Sequence, residues 1–431
     1  MTPHDRVSAH SSRPGAAIAV SALGAFLCSL DSALNVAFPA ISADLGVSPR
    51  QVALVIVFYH VPIGVLTVIG GLLGDRFGHR RVFACGVWTS AVAFPLCGLA
   101  PDYAWLLAAR VVQGAGAGLV FGTAPALVTL ALVPSRRGLG LGVLNFATGA
   151  TAATAPLIAG FLVEAFGWRS VFLFRVPLAL IVGVVVSYLG HIRMGAPTWP
   201  PNPPRSERPG KAGALLEAPL LHTLRRRALI LGNALAVVAN AASFSIFVFV
   251  PYYLVDVARY SAGLAGAIFM TVPLSTSLGG LVGGWLTRRL EPRALVVAGL
   301  ALETIGLATI ATLQGGSHPT VMVAGFVLTG AGLGLFQVPN MTLVMAALPD
   351  QHQGLAGGTI SAMRTIGILA AALLSPWLFA SRQAVHQATI TSPPALFLAA
   401  FTDTFLACTL LGTCALALSL LLFTPAARPR H

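Results

Sequence analysis

Asp31 and Arg110 each stand in the middle of a long apolar run, and Asn35 and Gln113 follow them at helical spacing, four and three residues on. A carboxyl group facing a guanidinium in hydrocarbon can hold or release a proton, because loss of water favours the neutral acid while a nearby cation favours the carboxylate. Burying such charge costs several kcal/mol, which makes the pair a functional-site candidate by default. At about 1.5 Å of rise per residue, both lie roughly 20 Å above one face of a bilayer, so they can meet. A permanently ionised pair that fixes two helices together has the same residue types and remains the alternative.

The elements that position them follow from composition. Of 431 residues 56% are hydrophobic and only 9% charged, too little polar surface to solvate a globular protein. Apolar runs of about 20 residues, enough to span the bilayer core as helices, recur along nearly the whole chain. Twelve are expected, at 16–40, 51–73, 82–100, 103–132, 138–164, 168–192, 228–255, 262–286, 294–313, 319–348, 354–380 and 396–424. The first is read as a retained span that exits at Pro39, not as a cleaved leader.

Counting the basic residues between these runs puts nineteen Lys and Arg on the side that holds both chain ends and only Arg50, Arg169, Arg259 and Arg382 on the other. That bias places both termini in the cytoplasm and explains the net charge of +13 as a topology signal, with no nucleic-acid partner implied. The five cysteines have neither metal-site nor disulfide spacing and read as small core residues.

Residues 193–227 break the pattern with clustered charge and six prolines between 197 and 209, a cytoplasmic linker with a short surface helix over 215–224. It separates a six-helix bundle over 16–192 from a second over 228–424, with tails 1–15 and 425–431 on the cytoplasmic side. Gly71, Leu73, Arg76 and Arg80 reappear 213 positions on as Gly284, Leu286, Arg289 and Arg293. "RGLGLG" at 137–142 matches "QGLAGG" at 353–358. Two halves repeating in this way predict an all-α polytopic membrane protein of two pseudo-symmetric bundles, a secondary transporter with its substrate near the midplane.

"GLLGDRFGHRR" at 71–81 resembles the loop signature of the major facilitator superfamily. "RVVQGAGAG" at 110–118 is similar to the fourth-helix signature of its drug:proton antiporters, and "LDSALNVAFPAIS" at 30–42 to the first-helix signature of its fourteen-span drug antiporter branch, from which the twelve spans counted in this chain depart. The resemblance implies a conformational gate in which Asp75 meets the N-terminus of helix eleven near Gly354, with Gly71, Gly78, Arg76 and Arg80 around it. Two departures stand out: Arg136 and Arg137 replace the acid common at the end of helix four, and Arg288 takes the second-half position of Asp75. Pro156 and Gly160 lie in a degenerate copy of the antiporter hinge in span five.

With these residues the resemblance implies proton-coupled export of a small amphipathic drug-like compound or metabolite by a monomer, with Asp31 coupling and Arg110 and Gln113 tuning it, and the abundance of Ala, Gly, Pro and Arg with a single Lys points to a bacterial inner membrane. His60, Asn145, Asn233, Asn240, Gln337, Asn340 and Arg364 are expected around the cavity, whose few charges suit lipophilic or cationic compounds. Glu303 and Asp403 are expected in structural or lipid-adjacent positions on peripheral helices, and Arg175 stands unexplained where the family commonly shows Asn. No phosphate-binding loop, metal cluster or catalytic constellation is present in the sequence, so neither an enzyme nor a cofactor is expected. An uptake symporter or uniporter of the same fold is the nearer alternative, and a non-transporting membrane sensor the more distant one.

Overall fold

Unbroken apolar sequence must satisfy its own backbone in lipid, and it does so here as helix throughout. The structure, a computed structural model, describes residues 14–132, 134–191, 227–346 and 353–422, among which there is no strand. Twelve helices are long and apolar enough to cross a bilayer. They are α1 (Ile18–Leu45), α2 (Pro49–Phe77), α3 (His79–Gly98), α4 (Tyr103–Ala131), α5 (Gly140–Phe166) and α6 (Ser170–Tyr188), then α7 (Leu229–Val257), α8 (Ala262–Leu286), α9 (Pro292–Ala311), α10 (Pro319–Ala346), α11 (Thr359–His386) and α12 (Pro393–Leu420). The expected surface helix over 215–224 and most of both tails and the linker lie outside the described residues.

Local sequence sets the helix ends. Ser48 and Gln51 form a capping box ahead of Pro49 at α2, and Asp102 accepts from the Trp105 amide at 2.8 Å to open α4. Gly46 in the left-handed region at φ 63° ends α1, so Pro39 is not the exit it was expected to be. Instead Pro39 starts the last third of α1. It has no N–H for the Asn35 carbonyl, which takes the Phe38 amide in a tighter bond, and residues 30–37 wind as a 3-10 helix. Ser29 and Ser32 support that tightening by donating to the Ala25 and Ser29 carbonyls.

Within each half, small residues let helices touch backbone to backbone. A Cβ on Gly116 would lie 2.8 Å from the Gly86 carbonyl, and one on Gly299 would lie 2.8 Å from the Gly332 carbonyl, so α3 against α4 and α9 against α10 repeat one packing. Gly118 lies on the Ile63 carbonyl of α2 just as Gly334 lies on the Thr276 carbonyl of α8. The internal repeat thus extends from the loops to the glycine seams.

The halves join on the face opposite the basic loops. There one apolar cluster runs through Phe38, Ile41 and Val52 of the first half and Phe249, Phe269 and Phe379 of the second. Ser42 and Tyr252 share a hydrogen bond of 2.6 Å across it, and Glu164 accepts from the Gly263 amide at 2.7 Å, capping α8 from the other half. Pro156 and Gly160, expected as a hinge, sit in this seam: a Cβ on Gly160 would be 2.5 Å from the Ala262 carbonyl. Gly64 against Thr365 and Gly149 against Ser277 carry the junction to mid-helix. Toward the basic face each half packs only on itself, around Val87, Val120 and Val128 in the first and Leu235, Leu300 and Phe336 in the second. Among the described residues the bundle is sealed on one side and divided on the other.

Candidate functional site: a shared carboxylate at the midplane

Asp31 sits in the 3-10 segment of α1, at the depth where the two halves part. Arg110 of α4 grips it with two hydrogen bonds, Nη1 to Oδ1 at 2.6 Å and Nη2 to Oδ2 at 2.8 Å. Gln113 donates from Nε2 to the same Oδ1 at 2.9 Å and accepts from Arg110 Nη1 at 2.8 Å, closing a ring of three side chains. Arg110 Nε donates to the Val55 carbonyl at 3.1 Å and its guanidinium lies over the Tyr59 ring at 4.1 Å, so α2 holds its back. Arg110 is 1% exposed and Asp31 12%, which leaves the carboxylate as the side of the cluster open to the space between the halves.

A second cation enters from α6. Arg175 donates from Nη1 to Asp31 Oδ1 at 3.3 Å and from Nη2 to the Leu30 carbonyl at 2.8 Å. It is fully buried among Phe94, Phe172 and Phe174, and its Nε has no hydrogen-bond partner. One carboxylate therefore faces two guanidiniums, a triad of formal charge +1. The sequence reading left Arg175 without a role, although Arg175 and Arg110 stand equally far, seven residues, from the expected starts of their spans at 168 and 103. Equal depth was the available signal.

Asn35 does not continue the Asp31 face. In a 3-10 helix of about 3 residues per turn, position i+4 swings away, and the Asn35 amide donates weakly to the Ser32 carbonyl at 3.4 Å. His60 lies close to the triad, donates from Nδ1 to the Ile56 carbonyl at 3.0 Å, and packs edge-on against Phe244 of α7 at 6.1 Å. Across the gap, Arg364 projects from α11. Gly367, three residues on, packs on the Val237 carbonyl of α7, while Thr365, one residue on, packs on Gly64 of α2. With about 100° per residue, Arg364 points between those two helices, and its side chain is exposed there.

Other expected cavity residues are placed differently. Asn240 is 5% exposed and bonds the Ala236 carbonyl of its own helix, and Asn340 is 1% exposed and ties α10 to α7 through the Gly232 carbonyl at 2.9 Å. Both serve packing and not the cavity wall: Asn240 lies against Gly367 of α11, and Asn340 is turned toward α7. Asn233 and Gln337 are half-buried, and the side chain of Asn145 lies outside the described residues. Glu303 is not lipid-adjacent: it is 1% exposed and accepts from Ser243 Oγ of α7 at 2.5 Å. Asp403 pairs with Arg382 at 2.6 Å and His386 at 2.8 Å near the sealed face. Cys28, Cys97 and Cys408 are buried, whereas Cys85 and Cys414 lie on the outer surface and not in the core.

At the expected gate, Asp75 is 74% exposed and contacts His79 at 3.1 Å, Arg76 lies over the Phe77 ring, and Gly78 adopts φ 95°. Gly71 faces the Gly122 carbonyl across α2 and α4, Arg80 reaches the Val186 carbonyl, and Gly354 lies in the first turn of the helix Gln353–His386. An exposed Asp75 fits a basic side on which the halves have separated.

Comparisons with known proteins agree with this architecture. A protein 24% identical over 384 residues, 80% of this chain and 83% of its own length, is the riboflavin transporter RibZ of Clostridioides difficile strain 630. The tetracenomycin C resistance and export protein of Streptomyces glaucescens is 28% identical over 422 residues, covering 88% of this chain and 78% of its own. Among solved structures, a bacterial homologue of the human lysosomal transporter Spinster, inward-facing and unoccupied, superposes with a TM-score of 0.78 at 15% identity over 96% of this chain and 99% of its own. The family model of the Major Facilitator Superfamily matches residues 20–372 and again 235–430. With twelve spans in two repeated halves and a charged cluster where they part, this chain belongs to the Major Facilitator Superfamily, a multi-pass membrane transporter of small molecules and not an enzyme.

Proposed function

We propose that this transporter exports a small amphipathic compound in exchange for protons, by alternating access, in a bacterial cytoplasmic membrane. The carrying observation is the sharing of Asp31 between Arg110, Arg175 and Gln113 at the point where the halves separate. A carboxyl group that must choose between a proton and two guanidiniums has two charge states of different shape, and each favours a different arrangement of α1 against α4 and α6. The 3-10 winding of α1 around Asp31 supplies a segment able to rewind, since such stretches inside a helix mark hinges.

The bias of basic residues supports a cytoplasmic placement of the divided face, which would be an inward-facing arrangement. In the opposite state Asp75 would lose its exposure and meet the helix that begins near Gly354, whose N-terminal dipole attracts a carboxylate. The name of the Streptomyces glaucescens relative supports the outward direction.

Vesicles loaded with purified protein test the reading. With an imposed gradient, acidic on the side opposite the basic loops, substrate is expected to leave the basic-loop side against its own gradient. Reversing the pH gradient is expected to reverse net movement. Transport indifferent to the pH gradient contradicts proton coupling, and co-directional flux of protons and substrate identifies a symporter instead.

A further inference from the structure

The sequence reading matched an apolar cavity to lipophilic or cationic compounds, but the charges around the midplane point the other way. Asp31 is outnumbered by Arg110 and Arg175, and Arg364 adds a third guanidinium on the facing wall. Arg364 has neither ion pair nor hydrogen bond among the described residues. No other described acid balances it at that depth: Glu303 is sealed behind Ser243, Asp403 is held near the other face by Arg382 and His386, and the rest stand at span ends. Beside this charge the wall is aromatic, with Phe244 stacked on Phe247 at 5.1 Å and His60 edge-on to Phe244.

A guanidinium at mid-membrane depth is expensive to keep and is ordinarily paired. Among the described residues Arg364 has no such partner, and its side chain is exposed between α2 and α7. We infer that the cavity selects amphipathic substrates that carry an anionic group, a carboxylate or an ionised phenol or sulfonate on an aromatic body, with Arg364 as the group that receives the anion. The inference rests on the transporter reading and deepens it. No covalent step is involved.

The test uses one fluorophore with two charges, dansylglycine as the carboxylate and dansylcadaverine as the ammonium, on the full-length protein in liposomes. Binding is read by tryptophan-to-dansyl energy transfer and movement by accumulation. The wild type is expected to bind the carboxylate about tenfold more tightly than the ammonium, the worth of one charge-assisted contact. Arg364→Gln is expected to bring the two probes to within about twofold, Arg364→Lys to keep most of the preference, and Arg50→Gln on the sealed face to leave it unchanged. A preference for the ammonium, or a carboxylate preference that survives Arg364→Gln or vanishes with Arg50→Gln, overturns the inference while leaving the transporter reading intact. Failure to bind or move either probe overturns both.

Discussion

Asp31→Asn abolishes uphill, pH-driven transport and at the same time lowers the thermal stability of the protein. Asn keeps the shape of the side chain and an acceptor for Arg110, but it can no longer exchange a proton, so coupling has no carrier. Stability falls because Arg110 and Arg175, 1% and 0% exposed, are left as two buried cations without a counter-ion. Removing one partner of a buried pair costs about 3–5 kcal/mol, most of it the stranded charge. The second guanidinium, Arg175, is what makes the loss of the carboxylate costly to the fold. Thermal unfolding followed by intrinsic fluorescence reads the stability, and vesicle transport with and without a pH gradient reads the coupling. A variant that still pumps against a gradient removes Asp31 from the mechanism.

Arg175→Met has the opposite signature. Its guanidinium is fully buried, its Nε is unsatisfied, and Asp31 keeps both bonds to Arg110 when it is gone. Exchanging a buried ion for an apolar side chain of similar length is neutral or stabilising by about 1–4 kcal/mol, set against about 1–3 kcal/mol for the donor lost by the Leu30 carbonyl. Unfolding temperature is therefore expected to stay near that of the wild type, whereas transport falls by about tenfold or more, the worth of a charged hydrogen bond of roughly 1.5–3 kcal/mol. The double variant Asp31→Asn with Arg175→Met restores the wild-type formal charge of +1 at the cluster. It is expected to regain most of the stability lost in Asp31→Asn and none of the coupling. A strongly destabilised Arg175→Met with full transport among its folded molecules assigns Arg175 to packing.

The twelve spans and the meeting of Asp31 with Arg110 were legible because both depend on one-dimensional quantities, the length of apolar runs and the depth of a charge within them. What depends on direction around a helix was not. Asn35 was misassigned because Pro39, four residues on, changes the winding from about 3.6 to about 3 residues per turn, and the helical spacing rule changes with it. Asn240 and Asn340 look like cavity residues in sequence, yet each amide is spent on a nearby carbonyl, Asn240 within α7 and Asn340 from α10 to α7, since a buried amide finds the nearest acceptor. Glu303 was given a structural or lipid-adjacent place because its helix is peripheral, and of the two only the lipid-adjacent one fails, since a peripheral helix still has an inner face. Arg175 could have been found by depth, and the unpaired state of Arg364 could only be seen once every neighbouring acid had a place.

The most direct test of the central claim, that one carboxyl group trades a proton for contacts with the arginines, is proton release measured on substrate binding. Purified protein in weakly buffered detergent solution, with a pH-sensitive dye and a transported compound, is expected to release about one proton per site when ligand is added, and Asp31→Asn none. Equal proton exchange by the variant and the wild type contradicts the account.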